Sequence, residues 1–230
     1  VSSVSRRRLD THPLLTDHPT AFKTSLVLWA IGGFTFVALT VAPLKRGLQA
    51  IDDWAWQVAI DLQTPVLVWI GKAMDVIGST LVVAPIMIGV AIYLIFRKRW
   101  EGLGFWILAM LTSQLLIGPV KTLYGRPRPP LPLVETTGFS FPSGHSVAGA
   151  AVAISLVIVL VPAGPKRRNL EILAGLFAFV MALTRVYLRA HWLSDTAGGA
   201  ALGAAVAVGA AAFVHWYVDR RSRGTADAQE

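Results

Sequence analysis

Two of the five histidines stand beside groups that would make them chemically useful. His191 is followed four residues later by Asp195 at the start of an apolar run, so a helix there puts both on one face. A carboxylate bonded to one imidazole nitrogen fixes the tautomer and presents the other nitrogen as an unprotonated nucleophile. Taken as an isolated pair, the same spacing equally serves a structural hydrogen bond. His145 closes the segment Pro142-Ser143-Gly144-His145, just before another apolar run. Pro142 can stop a loop, Ser143 can act as N-cap, and Gly144 lets a ligand approach the backbone. Free N–H groups at a helix start form an anion site, with His145 beside it. By itself this segment is a helix cap with a neighbouring histidine.

Three cations belong to the same set. Lys121 ends an apolar run, Arg128 lies seven residues later, and Arg185 precedes His191 by six. Each alone reads as well as a snorkelling anchor, but near-membrane cations are costly without an anionic partner and so are functional candidates. Phosphoryl transfer needs these parts together: cations and backbone N–H groups on the equatorial oxygens, an in-line nucleophile, and an acid for the departing oxygen. His12, His18 and His215 make no HxH or HExxH pattern and are assigned to solvent or interface. No metal and no cofactor is expected.

The elements that must position these residues are read from hydropathy. Hydrophobic residues make up 54% of 230, charged residues 15%, and mean hydropathy is +0.59, too apolar for an ordinary soluble domain. Six runs approach the ~20 residues that span a bilayer as helix: 24–44, 79–96, 102–120, 146–162, 170–188 and 196–218. The fold class is therefore all-α, a six-span bundle at 24–218 between an N-terminal tail, 1–23, and a C-terminal tail, 219–230. The first run is long and lacks a clean A-x-A site, which favours an uncleaved span over a signal peptide. The absence of cysteine excludes disulfides, thiol nucleophiles and Cys-based metal sites. The net charge of +8 does not point to nucleic acid, because the basic residues cluster between apolar runs.

Of the 21 Lys and Arg residues, 13 fall on one side of the runs: Arg6, Arg7, Arg8, Lys23, Arg97, Lys98, Arg99, Lys166, Arg167, Arg168, Arg220, Arg221 and Arg223. That side is expected to be cytoplasmic and to hold both termini, with the motif loops extracytoplasmic. The first outer connection, 45–78, places Ile51, Trp54, Val58 and Leu62 at helical spacing beside Asp52, Asp53 and Asp61, as in an interfacial helix. A second short amphipathic piece follows at 66–77. A tryptophan-anchored surface loop without chemical function explains this stretch as well. Gly199-x3-Gly203 in the sixth run predicts close helix packing.

The motifs Lys121-x6-Arg128-Pro129, Pro142-Ser143-Gly144-His145 and Arg185-x5-His191-x3-Asp195, in this order, resemble the three signatures of the type 2 phosphatidic acid phosphatase (PAP2) superfamily. That family also has six spans. The resemblance implies His191 as nucleophile, Asp195 as its partner and His145 as general acid, with Lys121, Arg128, Ser143, Gly144 and Arg185 on the phosphate. Thr184 stands where the family usually has serine, and a hydroxyl is kept. In the doubled Arg126-Pro127-Arg128-Pro129, spacing favours Arg128, leaving Arg126 to assist or to face water. The expected activity is metal-independent hydrolysis of a lipid phosphate at the outer surface of the cell membrane. Polyprenyl diphosphate ranks first, ahead of phosphatidic acid and phosphatidylglycerol phosphate. A lipid phosphotransferase shares every residue of the site. Vanadate-holding haloperoxidases share the motif set but are soluble, and a lipid transporter would place its polar site nearer midplane.

Overall fold

The computed structural model describes residues 18–162 and 164–227, with side chains described for 23–162 and 164–221. Arg6, Arg7, Arg8 and His12 lie outside the described residues, as do the side chains of His18 and Arg223. Regular structure among the described residues is helical throughout: α1 (His18–Ala38), α2 (Ala42–Asp61), α3 (Pro65–Ile77), α4 (Thr80–Phe96), α5 (Trp100–Tyr124), α6 (Gly144–Leu160), α7 (Pro165–Tyr187) and α8 (Leu193–Asp227).

The all-α expectation holds, whereas the six-span count is not reproduced. Among the described residues, α5, α7 and α8 are long and apolar enough to cross a membrane. The number reaches five if each bent pair is one span: α1 with α2, bent by 102°, and α3 with α4, bent by 42°. α6, expected as the fourth span, has 17 residues. At ~1.5 Å per residue that is ~26 Å, short of the ~30 Å hydrocarbon thickness. It is buried on most of its circumference by Val147, Ala148, Ala150, Ala151 and Val152, so its neighbours shield it. Large apolar side chains on the outer helices face outward, including Leu26, Trp69, Leu81, Phe96, Leu115 and Leu123. A surface of that kind fits hydrocarbon rather than water as solvent. The protein is a multi-pass membrane protein.

The centre of the bundle is α8, which packs against α6, α1, α5 and α7. Small residues make this possible. A Cβ on Gly203 would lie 2.2 Å from the Val147 carbonyl oxygen, and one on Gly199 would lie 3.0 Å from the Ser143 carbonyl oxygen. The close packing predicted for Gly199-x3-Gly203 is thus a backbone-to-backbone contact with α6. Its consequence is positional, because it brings the N-terminus of α6 beside that of α8. The Ser143 N–H donates to the Asp195 carbonyl across this seam at 3.2 Å.

α2 and α3 occupy the stretch expected to be interfacial. Ile51, Trp54 and Leu62 of that stretch point outward, while Asp52, Ala55 and Ala59 form the buried face of α2. The Thr64 hydroxyl caps α3 by accepting from Leu67 N–H at 3.3 Å, a contact of a kind that is worth about 1 kcal/mol. Both helices are tied down: Trp56 Nε1 donates to the Pro130 carbonyl at 3.1 Å, and Thr64 N–H donates to the Tyr187 hydroxyl at 3.1 Å.

Candidate active site

The three motifs meet at the ends of helices. Lys121 lies in the last turn of α5, which stops at Gly125 in the left-handed conformation (φ 55°). That glycine turns the chain into the loop carrying Arg126 and Arg128. Ser143 caps α6, as its position before the apolar run predicts, and accepts from Ser146 N–H at 3.4 Å. Gly144 and His145 follow in the first turn. Arg185 lies in the last turn of α7, His191 in the turn between α7 and α8, and Asp195 in the first turn of α8. The Arg185 carbonyl accepts the N–H groups of Ala190 and His191, at 3.1 and 3.3 Å, which fixes the nucleophile candidate to the end of α7.

His191 has a defined tautomer. Arg128 Nη1 lies 3.2 Å from His191 Nε2, and a guanidinium can only donate, so Nε2 accepts and the ring proton sits on Nδ1. Nδ1 faces Ser140 Oγ at 3.5 Å and Asp195 Oδ2 at 3.8 Å. Burial pushes the His191 imidazole down to about 4, with the Arg128 and Lys121 charges acting the same way and Asp195 opposing them. The ring is therefore neutral at physiological pH. The remaining Arg128 donors hold the chain around it, bonding the carbonyls of Ala190 at 2.7 Å, Thr137 at 2.7 Å and Gly138 at 3.0 Å. Lys121 Nζ donates to the Phe139 carbonyl at 2.6 Å. Burial and the charge of Arg185 push the Arg128 guanidinium below its ordinary value.

Asp195 is held from all sides. Ser140 Oγ and the Trp192 N–H, at 3.0 Å, donate to Oδ2, while Arg126 Nη1 donates to Oδ1 at 2.5 Å. Arg126 then reaches back to α2, with Nη2 on Asp52 Oδ2 at 2.6 Å and on Gln49 Oε1 at 3.0 Å. Asp52 also accepts from Ser194, from its N–H at 2.8 Å and its hydroxyl at 2.7 Å. On the opposite side, Arg185 Nη1 donates to Asp75 Oδ1 of α3, and His145 Nε2 lies 3.2 Å from the same oxygen. Arg185 Nε is buried without a hydrogen-bond partner. Among the described residues no group of three His, Asp or Glu side chains converges as a metal site.

Comparison with known proteins accounts for this arrangement. The model of the PAP2 superfamily matches residues 102–221, which contain every motif residue. The chain belongs to the PAP2 superfamily. Phosphatidylglycerophosphatase B of Bacillus subtilis (strain 168) is 32% identical over 177 residues, covering 73% of this chain and 85% of the relative. The crystal structure of a transmembrane PAP2-type phosphatidylglycerolphosphate phosphatase from Bacillus subtilis matches with a TM-score of 0.73. The identity is 26%, over 86% of this chain and 96% of the other. Aquifex aeolicus LpxE shares the fold at a TM-score of 0.56 and 23% identity, over 67% and 91% of the two chains. The protein is a PAP2-type membrane phosphatase, and two of these relatives are phosphatidylglycerol phosphate phosphatases by name.

Within this PAP2 site the doubled arginine resolves cleanly. Arg128 meets His191, whereas Arg126 is buried on Asp195 and Asp52 and does not face water. Sequence reasoning misses four contributors: Asp52, Asp75, Ser140 and Ser194. Asp52 and Asp75 lie in the stretch that also reads as a surface loop without chemical function, and both reach the site. A signal for Asp52 exists in its spacing with Ala55 and Ala59, which marks a small-residue face suited to burial. Asp75 is the lone acid in the apolar helix α3, the kind of residue that signals function near a membrane.

Proposed function

We propose that this PAP2 enzyme hydrolyses a lipid phosphate without a metal, through a phosphohistidine on His191. The observation that carries the reading is the hydrogen bond from Arg128 to Nε2 of His191. It leaves a neutral ring with its lone pair aimed among cations, where a phosphate would lie. In the first step His191 Nε2 attacks phosphorus, the bond to the lipid oxygen breaks, and His145 supplies the proton that makes the leaving group an alcohol. In the second, water attacks phosphorus, the P–N bond breaks, and His145 takes the water proton, releasing phosphate and neutral His191. Lys121, Arg128, Arg185, Ser143 and Gly144 hold the phosphate oxygens, and the buried, unpartnered Nε of Arg185 suits an oxyanion.

A lipid substrate is supported by what lies on the leaving-group side. A cavity of about 410 Å³ adjoins His145 and is lined mainly by apolar groups of α4 and α5, including Val83, Ala84, Met87 and Ile117. Phosphatidylglycerol phosphate now ranks ahead of phosphatidic acid and polyprenyl diphosphate, on the strength of the 32% identical relative. Purified protein should release phosphate from this panel in the presence of a chelator. Rapid quench with His145→Ala and an aryl phosphate should accumulate an acid-labile phosphoenzyme, because that leaving group needs no proton while hydrolysis of the intermediate does. Collapse in the chelator, or label on a residue other than His191, would sink the mechanism.

The site is proposed to open away from the cytoplasm in a six-span cell-membrane topology, with both termini cytoplasmic, since the motif loops carry the minority of the basic residues. Single cysteines at Val134 and Asn169 should label oppositely with an impermeant thiol reagent in intact cells. Labelling at Asn169 alone inverts the orientation.

A further inference from the structure

α3 lies outside the three motifs, yet its C-terminal turn is built around His145. His145 Nε2 lies 3.1 Å from the Asp75 carbonyl oxygen and 3.2 Å from Asp75 Oδ1. A carbonyl can only accept, so the Nε2 position carries the proton. The Asp75 carbonyl belongs to the last turn of α3, where backbone acceptors have no intrahelical donor and the helix dipole is negative. Arg185 Nη1 binds the Oδ1 that faces the imidazole. The adjoining edge of the ring is fixed by shape, because a Cβ on Gly78 would lie 2.5 Å from His145 Cδ2.

We propose that Asp75 is a positioning residue for the leaving-group side, doing for His145 what Asp195 does for His191. The proposal rests on the reading of His145 as general acid. Asp75 keeps the proton on Nε2, which leaves Nδ1 to serve the reaction. In the first step the Nδ1 proton moves to the departing lipid oxygen as the P–O bond breaks and its electron pair stays on oxygen. The ring is left neutral with Nε2–H still on Asp75. In the second step Nδ1 takes a proton from the attacking water. The carboxylate offsets the imidazolium charge before the first transfer and after the second, as an aspartate does behind the histidine of a hydrolase triad. By sharing one oxygen between Arg185 and His145, Asp75 also sets the distance between a phosphate clamp and the proton donor.

The test is leaving-group dependence, which a merely structural residue would not alter. Asp75→Asn, His145→Ala and the parent protein are assayed on an alkyl phosphate lipid and on p-nitrophenyl phosphate, with vanadate inhibition measured alongside. General acid catalysis contributes on the order of 10²–10⁴. Asp75→Asn is expected to lose at least about tenfold in kcat on the lipid, a part of that contribution, while the first step on the aryl phosphate and vanadate affinity stay near the parent values. Gly78→Ala, which crowds the same ring at Cδ2, should give the same selective loss. Equal losses in the first step on both substrates in Asp75→Asn, with a first-step loss confined to the lipid in His145→Ala, would overturn Asp75 alone. Equal losses in the rate of phosphoenzyme formation on both substrates in His145→Ala would remove the general acid and this proposal with it. Tighter vanadate binding and faster turnover in Asp75→Asn would make Asp75 an internal competitor of phosphate instead, and would also overturn the proposal.

Discussion

Around His191, the side chains are dry and saturated: His191 is 3% exposed, Asp195 0%, Asp52 1% and Arg126 7%. Around His145, the ring and its partner Asp75 are 23% and 29% exposed, and Arg185 keeps an unpartnered Nε. Both sides pair a histidine with a carboxylate and an arginine, so residue types alone do not distinguish them. What differs is preorganisation. A nucleophile must hold one tautomer and one direction, which burial among fixed donors provides. A proton donor must meet a leaving group and then a water, so its surroundings remain open to both. The arginines follow the same division: Arg126 binds two buried carboxylates, whereas Arg185 shares one half-exposed carboxylate with a histidine.

The largest expected effect breaks the nucleophile side outright. His191→Ala should lower turnover by at least about three orders of magnitude on lipid and aryl substrates alike, by analogy with nucleophile loss in other covalent enzymes. It should form no phosphoenzyme under rapid quench. A residual covalent intermediate in this variant would move the nucleophile elsewhere and dissolve the contrast between the two sides.

Next in size, the two arginines should separate by what they damage. On the proposed mechanism Arg185→Ala removes a donor to the transferring phosphate, and loss of one such donor costs on the order of 10²–10³ in kcat. Its stability cost should be small, because the carboxylate it leaves, Asp75, is partly solvated. Arg126→Ala leaves Asp52 and Asp195 buried without their shared cation, a change that typically costs about 3–5 kcal/mol. Thermal unfolding in detergent should therefore rank Arg126→Ala as the less stable, and turnover of the folded fraction should rank Arg185→Ala as the slower. The reverse ranking in either measurement would mean that the sides are assigned the wrong way round.

The motifs are legible in the sequence because each sits at a helix end, where spacing in residues converts directly into position. The four-residue spacing brings His191, just before α8, within 3.8 Å of Asp195 in its first turn, and a serine before an apolar run caps α6. Asp52 and Asp75 are harder to read because hydrocarbon reverses the usual rule. On α2 the tryptophan and isoleucine face outward and the aspartate faces in, so the apolar face that marks a surface helix in water marks the wrong side here. The number of spans is not settled by length and apolarity for a related reason. The bends at 39–41 and 78–79 split apolar stretches that hydropathy reads without direction, and α6 is sheltered by its neighbours despite its length.

The smallest expected effect tests whether burial, rather than the neighbouring carboxylate, governs His191. Burial is the largest influence on this imidazole and lowers its pKa from 6.5 to about 4; Asp195 works in the opposite direction. Since attack requires the neutral ring, the His191 form competent for reaction persists as pH falls from 6.5 and is lost only through about 4. At pH 5 an unperturbed histidine would be only about 3% neutral, against about 90% for one whose pKa is about 4. The acid limb of kcat/KM, which reports the free enzyme and free substrate, should accordingly lie near pH 4. Substrate phosphate also titrates in acid, so the profile is measured with two substrates of different phosphate ionisation; the limb that stays in place belongs to the enzyme. Asp195→Asn removes an influence that raises the pKa and should move this limb to lower pH while slowing turnover, and Arg128→Gln should move it upward. Folding responds in the same interval, because the unfolded chain takes up the proton first: the stability contributed by neutral His191 is full above about 6.5 and is lost as pH falls from there through about 4. An enzyme limb at 6–6.5 that Asp195→Asn leaves unmoved would show that His191 is solvated in the working enzyme, and the dry nucleophile side would lose its distinction from the open acid side.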